Sequence, residues 1–199
     1  MAVGSAAGAW RRKWDEAVIN TTRRHLYLAG FMGTGKTVVG REVARRLGRP
    51  FIDLDEMIEL IAHRRIADIF RVDGEERFRQ LESHALRLAV VAPGSVIALG
   101  GGTPLQQANQ SILAPTGYTV LLTGDWPTIW ARVKDTIAER PMLAGATAGD
   151  RQAAAQQLWM ARKPGYESMA QAVIETSGRT VADVADAVVE RYIFLATVE

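Results

Sequence analysis

Short apolar runs alternate with stretches whose apolar residues recur at helical spacing, and that alternation predicts most of the chain's elements. Residues 25–29, His-Leu-Tyr-Leu-Ala, are too few for a helix and read as a buried strand. Residues 36–47 put Val39, Val43 and Leu47 on one stripe and predict a helix. The segment 49–55 reads as a second strand running into a turn, with a helix over 56–62. A short helix over 66–70 precedes a long one over 74–92, whose core positions are Phe78, Leu81, Ala85 and Leu88. Further strands are expected at 95–99, 118–122 and 172–175. Asp125 is a natural cap for a helix over 126–133. A helix over 152–161 is broken by Arg162-Lys163-Pro164-Gly165-Tyr166 before another turn of helix to residue 170. The closing helix, 180–195, counts Val184, Val188 and Ile193 among its buried positions. Strand and helix in regular alternation imply an α/β fold of three layers, a five-stranded, mostly parallel sheet with helices on both faces.

Two stretches fall outside this rhythm. Residues 1–24 are an N-terminal extension that begins Gly/Ala/Ser-rich and is expected to be partly disordered. Within it Trp10, Trp14, Ala17 and Val18 keep helical spacing, so a short added helix fits, and a transit sequence is disfavoured by Asp15 and Glu16. Residues 134–151 are rich in Ala and Gly around Arg140-Pro141-Met142-Leu143, which suits a mobile lid carrying an arginine. Residues 25–199 are the main domain.

Composition narrows the chemistry. With 24 basic and 22 acidic side chains and a net charge of +2, no general attraction to polyanions is expected, so nucleic acid is not a partner and any anion site is local. There are no cysteines, which removes disulfides, thiolate metal sites and a cysteine nucleophile and fits a reducing, cytoplasmic setting. No apolar run approaches membrane-spanning length. Histidines 25, 63 and 84 share no metal-ligand spacing and are expected in packing or surface roles. The chain is expected to be a monomer.

The chemistry concentrates between the first strand and the first helix, at Gly30-Phe31-Met32-Gly33-Thr34-Gly35-Lys36-Thr37. Glycine, four residues, glycine, lysine and threonine, between a strand and a helix, is the phosphate-loop pattern. Glycines at 30, 33 and 35 let the backbone aim N–H groups at phosphate oxygens, with the helix N-terminus behind them. Gly33, Thr34, Gly35, Lys36, Thr37 and Val38 then make up the ATP site, with Lys36 neutralising the β and γ phosphates and Thr37 ligating Mg²⁺. Asp53 and Asp55, two apart, share one face of an extended chain, ready for Mg²⁺ and a substrate hydroxyl. Alternatively Asp55 merely caps the next helix. Arg79 is within reach of Glu75 and Glu82, which leaves a surface ion pair open as its role. Gly100, Gly101 and Gly102 at a strand's carboxyl end suit a small molecule held by backbone N–H groups, and Thr103-Pro104 equally suits a helix start.

These motifs, in this order, resemble the shikimate kinases, small P-loop kinases with an adenylate-kinase-like, three-layer P-loop NTPase fold. The resemblance covers residues 26–192 and is carried by the phosphate loop, Asp-Leu-Asp at 53, Ile-Ala-Asp-Ile-Phe at 66, Gly-Glu-Glu-Arg-Phe-Arg at 74, the three glycines at 100, Arg-Pro-Met-Leu at 140 and Arg-Lys-Pro-Gly-Tyr at 162. It implies Mg-dependent transfer of the ATP γ-phosphoryl group to the 3-hydroxyl of shikimate. It further implies that Asp55, Arg79, the glycines around Gly101 and Arg162 hold shikimate, the two arginines gripping its carboxylate. Asp53 reaches the metal through water, Arg140 touches the nucleotide phosphates from the lid, and Arg179 lies near the adenine. Lys36, Asp55 and Arg140 are the implied catalytic residues. Leu54 departs from the threonine common in the family, on the core-facing side, and the Ala/Gly-rich lid departs as well. Rival readings are a kinase for gluconate or a nucleotide, and a non-catalytic sensor; a GTPase lacks its Asn-Lys-x-Asp segment here.

Overall fold

A computed structural model describes residues 24–92, 94–137, 147 and 149–198. The extension apart from Arg24, and Arg140 with most of the expected lid, lie outside these residues. Strand β1 (His25–Ala29) leads through the glycine loop into α1 (Lys36–Leu47), both at the expected bounds. Then come β2 (Phe51–Asp53), α2 (Leu54–Ala62), α3 (Ile66–Ala89) and β3 (Val96–Ala98). A 3₁₀ turn (Thr103–Leu105), α4 (Gln107–Thr116), β4 (Gly117–Thr123) and α5 (Trp126–Val133) follow, before α6 (Arg151–Met169), β5 (Ala172–Glu175) and α7 (Val181–Val198).

The strands lie in the order β2-β3-β1-β4-β5 and every pairing is parallel. Successive side chains of a strand point to opposite faces, and the core divides accordingly. Leu26, Leu28, Val96, Val120 and Ile174 pack beneath α1 and α7, against Val39, Val43, Val184, Val188 and Tyr192. Tyr27, Ala29, Ile97, Leu99 and Leu121 face the other layer, meeting Ile58 of α2, Phe78 and Ala85 of α3, Leu113 of α4 and Tyr166 of α6. Both faces are covered, which is why the strands read as nearly continuous apolar runs.

Several expectations need correction. Residue 55 is not extended: α2 begins at Leu54, and the cap is Asp53, whose side chain accepts the Asp55 N–H at 3.1 Å. The two helices expected at 66–70 and 74–92 meet without a gap at Gly74, whose φ of 80° and ψ of 174° turn the chain where other residues would be strained. After the glycines a helical turn does begin at Thr103-Pro104, but it is 3₁₀ and one turn long, with α4 starting at Gln107. Helix α6 continues through Pro164 to Met169. Proline removes one donor, and the carbonyl left behind belongs to Met160, an exposed residue that water can reach. Leu88 and Ile193 are exposed at 44 and 38 %, while Ala89 and Tyr192 beside them are buried. The other expected core positions, Phe78, Leu81, Ala85, Val184 and Val188, are buried, so only the last position in each helix misses.

Candidate active site

The carboxyl ends of the parallel strands converge on one cleft of about 820 Å³, where ligands of open α/β sheets collect. The phosphate loop leaves β1 there. Gly33 and Gly35 have φ of 79° and 89°, left-handed values that fold the loop tightly. Gly35 is also the N-cap of α1, and no side chain caps it. The first N–H groups of a twelve-residue helix therefore remain for an anion, aided by the helix dipole. Lys36 crosses the loop and donates to the carbonyls of Gly30 at 2.9 Å and Phe31 at 3.1 Å. Buried Thr34 fixes the turn by donating to Phe31 at 2.8 Å. Val38 is exposed at the cleft's edge.

Next to the loop, the Thr37 hydroxyl donates to Asp53 Oδ2 at 2.7 Å. A hydroxyl and a carboxylate in contact are hard oxygen donors, the set Mg²⁺ prefers when phosphates and water complete its shell. Among the described residues no cluster of three acidic or histidine side chains is shaped for a metal, so an ion here would depend on the nucleotide for further ligands.

The other half of the cleft is built on the three glycines. A Cβ on Gly100 would lie 2.7 Å from Asp55 Oδ1 and 3.1 Å from Glu82 Oε1. One on Gly101 would lie 3.4 Å from the Arg162 guanidinium, and one on Gly102 would overlap that of Arg79, 2.8 Å from its Cζ. The missing side chains are thus the space in which four charged groups from three helices come together. Arg79 donates through Nη1 to Glu82 at 2.9 Å and through Nε and Nη2 to Glu75 at 3.2 and 2.9 Å. Burial works against its charge, but the Glu82 and Glu75 carboxylates outweigh that and raise its pKa further. This is no surface pair: the Glu82 side chain is 1 % exposed, and its second oxygen accepts from the Thr103 hydroxyl at 2.7 Å. Arg162 and Tyr166, one helical turn apart on α6, both donate to the Gly101 carbonyl, at 3.3 and 2.5 Å. Burial pushes the Tyr166 hydroxyl's pKa up, with Arg162 opposing, so it stays a donor.

Lys36, Thr37, Asp53, Asp55, Arg79, Gly101, Gly102 and Arg162 all line this one cleft. Arg179 does not. Its guanidinium donates to the carbonyls of Glu175 at 3.3 Å and Asp183 at 2.7 Å, and it lines a separate groove with Val173 and Phe194. Arg132, which the pattern had not singled out, lines the cleft beside the loop and donates to Gly33 at 3.1 Å and to Thr176. Nothing in its spacing marks it, since it sits in the last turn of an ordinary amphipathic helix. Glu82 and Tyr166 carried a faint signal, lying three and four residues from Arg79 and Arg162.

Fold and site define a P-loop, ATP-dependent small-molecule kinase. The family model for shikimate kinase matches residues 32–193. A curated shikimate kinase of Symbiobacterium thermophilum is 38% identical over 168 residues, 84% of this chain and 95% of that protein. One of Geobacter sulfurreducens is 40% identical over 174 residues, 87% and 93% of the two chains. Among solved structures, the shikimate kinase from Acinetobacter baumannii in complex with shikimate superposes with a TM-score of 0.81 at 31% identity, covering 90% of this chain and 98% of that one. The chain belongs to the shikimate kinase family.

Proposed function

We propose that the protein transfers the γ-phosphoryl group of ATP to the 3-hydroxyl of shikimate, giving 3-phosphoshikimate and ADP. The observation that carries this reading is the single cleft lined at one end by Lys36 and Thr37 and at the other by Asp55, Arg79 and Arg162. The loop N–H groups of Gly33 to Val38 and the start of α1 hold the phosphates. Lys36, released from its two loop carbonyls, neutralises charge on the transferring group. Thr37 and Asp53 would hold Mg²⁺, which would supply charge neutralisation on the phosphate oxygens. Arg79 and Arg162 take the carboxylate in forked geometry, while the N–H groups at Gly100, Gly101 and Gly102 face the ring. Asp55 orients the 3-hydroxyl, whose oxygen forms the new P–O bond as the bond to ADP breaks, and accepts its proton. Catalysis is then positioning and charge neutralisation rather than covalent chemistry. Arg132, beside the loop, is better placed for the nucleotide base than Arg179. Arg140 acts from the lid at 134–151, and residues 25–199 work as one unit.

No described helix is long and apolar enough to cross a membrane, and the protein is taken to act as a cytoplasmic monomer, which sizing chromatography tests. The decisive measurement is ADP release with ATP and Mg²⁺ across acceptors. Release should depend on shikimate and not on gluconate; release driven by gluconate, or none with any acceptor, would defeat the proposal.

A further inference from the structure

The groups gathered around the three glycines do not make a cationic pocket. Arg79 and Arg162 stand against Asp55 and Glu82, so the four charges balance, and Glu75 adds a further carboxylate to Arg79 from outside the glycines. All three nitrogens of Arg79 already donate to resident carboxylates, so an acid that takes a paired edge of this guanidinium displaces one of them. Glu82 is held in place by burial and by Thr103. Glu75 is not: its side chain is 53 % exposed, and its Oε1 alone takes both Nε and Nη2 of Arg79. That edge of the guanidinium is the paired-donor fork that fits a planar carboxylate.

We infer that Glu75 is the exchangeable counter-ion of the acid clamp, occupying the Arg79 fork until the substrate carboxylate replaces it and thereby setting the affinity an acid must reach to bind. The inference rests on the proposed role of Arg79 as that clamp. Exchange swaps one carboxylate for another on the same donors, with Glu75 swinging into the solvent it already half faces, while Glu82 keeps the guanidinium aimed at the cleft. An acid that engages Arg79 alone gains one ion pair at the expense of another. An acid whose hydroxyls also reach Asp55 and the glycine N–H groups keeps those contacts as net gain. Glu75 thus lowers the affinity of every acid that takes this fork by a similar factor, and only an acid with the hydroxyl contacts still binds well.

The test compares the full-length parent with Glu75→Gln in steady-state phosphorylation of shikimate. An ion pair one turn apart on a helix is weak, so the expected change is a two- to threefold fall in KM with kcat unchanged. The inhibition constant of cyclohexanecarboxylate, which lacks the hydroxyls, should fall by at least as much. The KM of neutral methyl shikimate should not move, and Glu76→Gln, at the exposed neighbouring position, should leave every value at the parent's. A KM for shikimate at or above the parent's, or an equal gain for the ester, overturns the exchange. Arg79→Gln separates the two ideas: if it raises the shikimate KM while Glu75→Gln does nothing, the clamp stands and the exchange falls. If it leaves KM unchanged, the clamp itself is lost.

Discussion

The two ends of the cleft are built on opposite plans. The phosphate end is eight consecutive residues whose polar groups are held by neighbouring backbone, as when Lys36 rests on the carbonyls of Gly30 and Phe31. The acid end is assembled from Asp55, Arg79 and Glu82, the glycines from Gly100 to Gly102, and Arg162 with Tyr166, which approach only when α2, α3, α6 and β3 pack together. A backbone cradle serves any phosphate chain, whereas an assembly of charged side chains specifies one shape. The difference implies that generic affinity and substrate identity are separately adjustable, and substitutions at either end should leave the other end's constants alone.

The harshest test of that separation is Lys36→Ala. Loss of this charge from the transferring group should lower kcat on the order of 10²–10³-fold, while calorimetry still detects shikimate binding at close to parent affinity. Loss of shikimate binding as well would show that the two ends are coupled. Gly102→Ala probes the acid end. Its φ of −103° suits any residue, so the fold should tolerate alanine, but the new Cβ would overlap the Arg79 guanidinium. Displacing one charge-assisted hydrogen bond should raise the shikimate KM about tenfold with the KM for ATP unchanged; parallel rises in both would contradict the division. Tyr166→Phe should be milder, costing about 1 kcal/mol in unfolding free energy for one buried hydrogen bond and a few-fold in kcat/KM as Gly101 loosens.

The smallest effect belongs to neither end. His25, where β1 begins, is buried and accepts the Ser95 N–H at 3.2 Å. Burial, with the Val90 backbone opposing, lowers its pKa below the usual 6.5. The unfolded chain therefore takes up that proton first, and folding stability falls as pH drops below 6.5 toward the lowered folded value. His25→Gln should flatten that stretch of the melting-temperature profile without altering KM for either substrate. An unchanged slope would place the acid sensitivity elsewhere.

The same contrast explains what could be read from the sequence. A contiguous loop announces itself, and so did β1, α1, α5 and β5, whose bounds follow from local pattern and caps. The acid end could be read only through its family resemblance, because Arg79 with Glu75 and Glu82 looks like an ordinary helix ion pair until the glycines cover it. Pro164 looked like a break because a missing donor is usually costly, and the exposure of Met160 that makes it tolerable is a property of the folded surface. Periodicity fixed which helices bury a face but slipped by one residue at Leu88 and Ile193, where the helix turn of 3.6 residues leaves neighbouring positions nearly equivalent. Arg132 is placed by tertiary packing alone.

Asp53 divides its carboxylate between two tasks. Oδ1 takes the Asp55 N–H and starts α2, while Oδ2 takes the Thr37 hydroxyl. Were the proposed Mg²⁺ to use this carboxylate, it would meet a side chain already held by the helix it caps and by Thr37. Folding has already borne the ordering entropy that binding would otherwise incur.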